Sequence, residues 1–317
     1  MTEKLYVSSS PHVLSSEDVP KIMRHVIYAL IPTIGGAVYF FGLRALAVIV
    51  LCGAVAVITE AVILAVRKKK VSTIMDTSAL LTGILFALTL PPSVSFGTAA
   101  IGAFIAVAVG KQVFGGFGQN IFNPALVGRA FLQAAFPVEM TTWVPPRVLQ
   151  KVDAVSFATP LGGFKFSHLM TSHTSLFLGS VGGSLGETSA LLIIIGGIYL
   201  LWKRYIDWRI PVSACASLVL LSAIFYLINP QKYPDPVFML FAGGFMLGVW
   251  FMATDPVTSP VHPKAVWIYG AGIGFLVVII RLFGGMPEGI MYSILFMNAL
   301  SPMLERFTRP RMLGEER

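Results

Sequence analysis

Residues 45–66 read ALAVIVLCGAVAVITEAVILAV, and a basic run, Arg67 to Lys70, follows them directly. These residues contain a single charged side chain, Glu60, and a helix needs about 20 apolar residues to cross a bilayer. The basic run is typical of a membrane edge. Over all 317 residues, 56% are hydrophobic and 12% are charged, whereas soluble domains carry about 25% charged residues. The sequence therefore predicts an all-α integral membrane protein and excludes a soluble globular domain.

Similar apolar runs, separated by glycine, proline and charge, predict about ten transmembrane helices. Several runs are short or bounded by proline, which indicates broken or tilted helices. The predicted spans are residues 25–43, 45–66, 74–91, 95–112, 120–136, 188–202, 211–228, 237–254, 265–282 and 288–304. The predicted organisation is a cytoplasmic N-terminal segment (1–24, with no cleaved signal), a first membrane repeat (25–136), an extracytoplasmic loop (137–187), a second membrane repeat (188–304) and a cytoplasmic tail (305–317).

The distribution of positive charge predicts the orientation. If the N-terminus is cytoplasmic, most of the 23 Lys and Arg residues fall in cytoplasmic loops, as the positive-inside rule requires. Both termini are therefore predicted to be cytoplasmic, and the loop 137–187 extracytoplasmic. On this interpretation the net charge of +8 reports orientation and contact with anionic membrane lipid. Nucleic acid is not expected as a partner.

The two halves of the membrane region resemble each other. The segments Phe86–Pro91 and Phe251–Pro256 share Phe, Thr and Pro at equal spacing. Further pairs follow in the same order: Lys111 with Arg281, Phe114-Gly115-Gly116 with Phe283-Gly284-Gly285, and Asn123 with Asn298. The pairs are offset by five spans, an odd number, so the halves should cross the membrane in opposite directions. This is the inverted-topology repeat of many transporters.

The predicted outside loop contains a motif rich in hydroxyl groups, Asp153-Ala154-Val155-Ser156-Phe157-Ala158-Thr159-Pro160-Leu161. A hydroxyl on an exposed loop can be reached by a separate transferase. The motif resembles the flavin-attachment motif of the Rnf family and of its relatives in Na⁺-pumping NADH:quinone oxidoreductases. The resemblance implies that FMN is joined through its phosphate to Thr159, with Ser156 as the second acceptor. Asp153 and Ala158 match the motif, whereas Ala154 and Phe157 replace glycines that are frequent there. The alternative is an ordinary Ser/Thr turn.

A glycine-rich turn, Gly179 to Ser189, leads into the sixth predicted span. Such turns let backbone N–H groups approach a phosphate or a ring edge. In the family that the chain resembles, this segment packs beside the flavin loop. We therefore expect Gly182, Gly183 and Glu187 to form part of the FMN pocket, the alternative being tight helix packing.

Residues 115–129 read GGFGQNIFNPALVGR. Amides and an arginine within a membrane segment are costly unless they are paired or line a site. The resemblance is strong here, and the quinone-reductase relatives hold a non-covalent riboflavin near such a segment. Asn120, Asn123 and Arg129 are therefore candidate flavin contacts. The alternative is that the amides cap a broken helix.

The resemblance covers nearly the whole chain and implies a urea-channel-like fold in the cell inner membrane. It implies the D-type membrane subunit of an Rnf complex, which relays electrons between ferredoxin and NAD⁺ and couples them to Na⁺ or H⁺ translocation. The sequence has no nicotinamide fingerprint, and its two cysteines cannot supply the four thiolates of an iron–sulfur cluster. The chain alone therefore holds no catalytic residues, metal site or complete active site.

The implied partners are a flavin transferase and the other Rnf subunits: the flavin-bearing G subunit, the cluster-bearing A and E membrane subunits and the cytoplasmic C and B subunits. One alternative is the B-type subunit of the Na⁺-pumping quinone reductase, which usually has a longer N-terminal region than the one before Ile22. The other is a urea-channel-like transporter, which needs no acceptor threonine.

Overall fold

The computed structural model describes residues 18–68, 75–147 and 158–309 of the chain. Within these ranges every regular element is helical and none is a strand. Asp153 and Ser156 of the predicted flavin motif lie outside the described residues. The helices are α1 (Val19–Phe41), α2 (Leu43–Val66), α3 (Ser78–Leu88), α4 (Phe96–Val107), α5 (Pro124–Ala135), α6 (Pro137–Thr141), α7 (Pro160–Ser167), α8 (His173–Leu178), α9 (Ala190–Trp202), α10 (Arg209–Ile228), α11 (Pro236–Phe241), α12 (Phe245–Leu247), α13 (Pro263–Phe283) and α14 (Ile290–Thr308). Two π-helical turns, Ala108–Gln112 and Gly248–Met252, continue α4 and α12.

Helices of the structure overlap the predicted spans, but several are shorter than predicted, such as α3 and α5. Four helices, α1, α2, α10 and α13, are long and apolar enough to cross a membrane. The span predicted at 237–254 is broken into α11, α12 and a π turn. Helix α1 begins at Val19, before the predicted residue 25, because Pro20 fits the first turn of a helix. The chain is thus an all-helical membrane protein.

Glycines let the long helices approach each other closely. A Cβ atom on Gly196 of α9 would lie 2.1 Å from the carbonyl oxygen of Ala29 in α1. A Cβ atom on Gly274 of α13 would lie 2.3 Å from the carbonyl oxygen of Ala214 in α10. Small residues commonly allow this backbone contact between membrane helices. The pair α1–α9 joins the two halves of the chain, as does the contact between α5 and α14.

Helix α3 ends inside the protein, and the glycine-rich segment completes its hydrogen bonding. The last carbonyls of a helix need partners when water is absent. The backbone N–H of Leu185 donates to the carbonyl of Leu90 (2.9 Å), and that of Gly186 donates to the carbonyl of Leu88 (2.7 Å). A Cβ atom on Gly186 would lie only 2.7 Å from that of Leu88. Residues 185–186 therefore act as a backbone partner for a buried helix end.

The described part of the loop 137–187 contains the short helices α6, α7 and α8, joined by irregular segments. A small apolar cluster holds α7 and α8 against α11. Its members are Leu161, Leu176, Val181, Phe238 and Ala242. This packing fixes the N-terminus of α7, where Thr159 lies.

Candidate functional site

Thr159 caps the N-terminus of α7. Its backbone is extended, its Oγ1 accepts a hydrogen bond from the N–H of Gly162 (3.1 Å), and Pro160 occupies the first helical position. A Cβ atom on Gly162 would lie 3.2 Å from Oγ1, so glycine leaves the hydroxyl uncrowded. The residue is only 5% exposed. The expectation of an acceptor on an exposed loop surface is therefore wrong for this conformation, because capping turns the side chain inward.

Thr159 and Ala158 line a cavity of about 520 Å³. Its walls come from α5, α6, α7, the loop that follows α13, and α14. Large apolar and aromatic side chains dominate this lining, including Trp143, Phe166 and Tyr292. Small-molecule sites are commonly concave, mostly apolar and about 300–1,000 Å³ in volume. The cavity therefore has the size and character of a cofactor site.

An arginine with two carboxylates forms the charged wall of this cavity. The Nη1 of Arg129 contacts Oε1 of Glu187 at 2.7 Å, and its Nη2 contacts Oε2 of Glu288 at 2.6 Å. The Arg129 and Glu187 side chains are 6% and 2% exposed, whereas Glu288 is 17% exposed. Arg129 and Glu288 line the cavity directly. From the sequence, Arg129 and Glu187 were assigned to separate sites and Glu288 had no role, but the structure joins all three.

The break between α11 and α12 accommodates this charged cluster. Gly243 has a positive φ of 66°. A Cβ atom on Gly244 would lie 2.3 Å from Oε1 of Glu187, so a carboxylate occupies the space of a side chain. Arg281 donates to the carbonyls of Met239 and Ala242, at the end of α11. A second buried cation, Arg281, thus supplies hydrogen bonds to the free carbonyls of the broken helix, close to the carboxylates of Glu187 and Glu288.

Lys165 ties α7 to the opposite wall of the cavity. Its Nζ donates to the carbonyls of Arg281 (3.2 Å), Gly284 and Met286 (2.9 Å). Cations commonly satisfy the free carbonyls at a helix C-terminus in this way. Partial burial lowers the pKa of Lys165 below its usual value. The contact fixes the spacing between Thr159 and the loop after α13.

The glycines Gly182 and Gly183 are not among the residues that line the Thr159 cavity. Their place in an FMN pocket stays a prediction. They precede the buried residues that complete the end of α3. Glu187, the third residue predicted there, reaches the cavity wall through Arg129.

Asn120 and Asn123 line a different cavity of about 60 Å³. Asn123 caps α5 by accepting from the N–H groups of Ala125 and Leu126. Its Nδ2 donates to the carbonyl of Met252 (3.1 Å), and Nδ2 of Asn120 donates to the carbonyl of Phe122 (3.1 Å). Asn123 therefore caps α5, and both amides donate to backbone carbonyls. Their contact with a flavin stays a prediction.

Asn298, the predicted repeat partner of Asn123, lies directly beside it. In the amide orientation that satisfies both polar atoms, the side-chain oxygen of Asn298 accepts from the backbone N–H of Asn123 at 3.0 Å. Its amide nitrogen then donates to the hydroxyl of Tyr269 at 2.7 Å. The two asparagines that the sequence paired are thus in contact.

A second buried ion pair borders the smaller cavity and was not predicted from the sequence. Lys111 contacts Oε1 of Glu60 at 2.7 Å and Oγ of Ser78 at 2.6 Å. Gln112 donates to the same Glu60 oxygen at 2.7 Å. An available signal was Glu60, the single acidic residue of its apolar run, because an intramembrane carboxylate requires a partner.

Comparison with known proteins finds relatives that match nearly the whole chain. The profile described as "NQR2, RnfD, RnfE family" matches residues 6–314. The chain is 46% identical to the D-type subunit of the proton-translocating ferredoxin:NAD(+) oxidoreductase complex of Clostridium ljungdahlii, covering 98% of this chain and 96% of that protein. It is 45% identical to the D-type subunit of the Na(+)-translocating ferredoxin:NAD(+) oxidoreductase complex of Acetobacterium woodii, covering 98% and 95%.

A third relative, the D-type subunit of the ion-translocating oxidoreductase complex of Stutzerimonas stutzeri, is 40% identical over 93% of this chain and 92% of its own length. The similarity thus extends over nearly the full length of each relative, as it does over this chain. The chain belongs to the NQR2, RnfD, RnfE family.

Proposed function

We propose that this chain is the D-type membrane subunit of an ion-translocating ferredoxin:NAD⁺ oxidoreductase complex, and that it carries FMN joined through its phosphate to Thr159. The names of the relatives that match over nearly their full length support the first part. One observation carries the second: Thr159 lines a cavity of about 520 Å³ that also has Arg129 in its wall.

The residues of this cavity fit a flavin that is linked by a phosphoester. A phosphoryl group on Oγ1 of Thr159 would lie at the N-terminus of α7, where the helix dipole favours negative charge. Gly162 keeps the space around Oγ1 open. Trp143, Phe166 and Tyr292 offer apolar surface to a planar ring. Because Thr159 is buried, the transferase must reach it through the cavity.

The residues of this chain have separate roles in the proposed relay. A bound flavin would supply reversible electron transfer. Its phosphoester would retain it at Thr159, so that no binding affinity is needed for retention. The apolar walls exclude water from the ring, and the ion pairs of Arg129 with Glu187 and Glu288 lie beside it. Lys165 sets the distance between the attachment point and the opposite wall.

The proposed topology has about ten crossings in two inverted repeats, with both termini cytoplasmic and the Thr159 loop on the outer side of the inner membrane. Two contacts support the repeat. In the first half, Lys111 donates a hydrogen bond to Ser78, which lies eight positions before Phe86. In the second half, Arg281 donates to the carbonyl of Ala242, which lies nine positions before Phe251.

Labelling of Lys232→Cys, in an exposed turn, tests the topology. Reaction with a membrane-impermeant reagent from the cytoplasm alone would contradict it.

We further propose that ferredoxin and NAD⁺ bind to partner subunits, and that the clusters of the A and E subunits and the flavin of the G subunit exchange electrons with this chain. The absence of a nicotinamide fingerprint and of an iron–sulfur ligand set from the sequence supports this division. The coupled ion is Na⁺ or H⁺, since relatives named for each are about equally similar.

Riboflavin at Asn120 and Asn123 remains a separate proposal, and the residues there do not fit it as they stand. The cavity of about 60 Å³ is far smaller than the about 300 Å³ at which small-molecule sites commonly begin. Both amides are already bonded to backbone carbonyls. A flavin ring would require these side chains to move, so we assign no step to it.

Mass spectrometry of the chain, co-expressed with a flavin transferase, tests the proposed attachment. We expect one FMN esterified to a peptide that contains Thr159, and in-gel flavin fluorescence that survives denaturation. The B-type alternative also carries covalent flavin, and purification with the Rnf partners rather than with a quinone reductase separates the two. A chain without covalent flavin would contradict the attachment and favour the transporter alternative.

A further inference from the structure

The wall of the Thr159 cavity contains two carboxylates on one guanidinium. Glu187 and Glu288 contact different nitrogens of Arg129 at 2.7 Å and 2.6 Å. Both carboxylates are therefore held close together on one guanidinium. Like charges that share a site repel each other when both are ionised. A proton added to either carboxyl group would relieve that repulsion.

The charges around this pair come from every element packed against it. Helix α5 contributes Arg129, and α13 contributes Arg281, which is committed to the carbonyls of Met239 and Ala242. The break between α11 and α12 contributes glycine backbone. With both carboxylates ionised, the two arginines balance them, and the cluster as a whole is neutral.

Two further polar groups face this region from α7 and α14. Lys165 is bonded to three backbone carbonyls, and Tyr292 lines the cavity. Oε2 of Glu187 is buried and has no hydrogen-bond partner among the described residues. Each guanidinium is thus matched by a carboxylate, and the ammonium group of Lys165 is directed at backbone carbonyls.

We propose that Glu187 and Glu288 form a proton-binding site, which takes up one proton when the Thr159 cavity gains negative charge. The inference rests on the proposed function, since an electron delivered to a flavin in the cavity is the source of that charge. The proton comes from water and adds to one carboxylate oxygen, and no bond between heavy atoms forms or breaks. The site would link electron arrival to proton uptake at the outer end of this chain.

Glu288 is the member of the pair that exchanges the proton. It lines the cavity and is 17% exposed, whereas Glu187 is 2% exposed. Glutamine at either position keeps the size and one oxygen for Arg129 but cannot bind the proton. The matched control is Glu305→Gln, because Glu305 accepts from the N–H groups of Val261 and His262 on a different part of the chain.

The test uses the full chain, co-expressed with a flavin transferase, loaded with FMN and placed in nanodiscs. Its infrared difference spectrum is recorded as the flavin is reduced electrochemically. We expect a C=O absorption of a protonated carboxyl group to appear on reduction and to shift in D₂O. The absorption should be lost in E288Q and in E187Q and retained in E305Q. Proton uptake, followed with an indicator dye, should fall by about one proton per chain in E288Q.

The outcomes separate this inference from the proposed function. A chain that carries covalent FMN but gives the same absorption and proton uptake in E288Q and E187Q would overturn the proton site alone. A wild-type chain that carries FMN and gives no carboxyl absorption would overturn it as well, even if both variants failed to fold. A chain without covalent FMN by mass spectrometry would overturn both proposals.

Discussion

Helix α5 links two cavities that differ in size and in chemistry. At its N-terminus, Asn123 lines a cavity of about 60 Å³ and is bonded to the backbone of α5 and of Met252. Six positions later, Arg129 lines a cavity of about 520 Å³ and is bonded to side-chain carboxylates. At about 1.5 Å per residue, the two sites are about 9 Å apart along the helix.

The difference shows that costly polar residues in one membrane segment can serve separate purposes. The amides of the smaller cavity form hydrogen bonds with the backbone around a broken helix, and lipid hydrocarbon cannot supply such bonds. The arginine of the larger cavity instead binds carboxylates, so that its wall contains ionic side chains rather than backbone carbonyls. The larger cavity therefore suits a charged cofactor, and the smaller one maintains the fold.

The largest effect is expected at Thr159 in the larger cavity. Thr159→Ala should abolish covalent FMN, measured by in-gel fluorescence and mass spectrometry, because it removes the acceptor oxygen. Loss of the N-cap should cost about 1 kcal/mol, so the chain should still fold. Thr159→Ser keeps the oxygen and should retain part of the attachment. Covalent FMN in the alanine variant would show that the acceptor is another residue, and Ser156 would be tested next.

A large loss of stability is expected when Arg129 is removed. Arg129→Met leaves Glu187 and Glu288 buried without their cation, and breaking a buried ion pair typically costs about 3–5 kcal/mol. We expect a much lower midpoint of thermal unfolding in detergent. Adding Glu187→Gln and Glu288→Gln should restore most of it, because the uncompensated charges are then absent. If the single variant unfolded like the wild type, the charged wall would not be a structural element.

The fold was largely predictable because the signals for membrane helices are local. The apolar run at 45–66 identified α2, whereas the span predicted from residue 120 begins only at Pro124, as α5. The contact between Asn123 and Asn298 was anticipated from a weak internal similarity. Bounds were less accurate, since helices such as α1 extend beyond the apolar core into polar sequence.

The candidate site was predictable only in part, because its residues are far apart in the sequence and meet only in the folded chain. Thr159 came from a local motif, but its inward capping geometry depends on the packing of α7. Arg129 is separated in sequence from Glu187 by 58 positions and from Glu288 by 159. No periodicity pairs residues at such distances. The glycine-rich turn was predicted to approach a phosphate or a ring edge. Two of its residues, Leu185 and Gly186, donate hydrogen bonds to the end of α3.

A moderate effect, confined to stability, is expected at Asn123 in the smaller cavity. Asn123→Ala removes the cap of α5 and the bond to Met252, so it should lower stability by about 1–2 kcal/mol. Covalent FMN at Thr159 should be unchanged. Asn123→Asp keeps the capping oxygen but loses the donor. Its stability should lie between those of the wild type and of Asn123→Ala. Loss of covalent FMN in Asn123→Ala would mean that the cavities are not independent.

The smallest effect is expected at Glu139, which holds one wall of the larger cavity. Glu139 lies in α6, next to the cavity residue Met140, and accepts from the N–H of Ser95 (3.1 Å) and the hydroxyl of Thr98 (3.0 Å) at the start of α4. The hydrogen bond from Ser95 lowers the pKa of Glu139 below its usual 4.5. Its contribution to stability is therefore fully present above about pH 4.5 and is lost as the pH falls through the lowered pKa. We expect the unfolding midpoint of the wild type to exceed that of Glu139→Gln slightly at pH 7, and the gap to close in acid. A gap that stayed constant with pH would mean that the carboxylate does not hold α6 to α4.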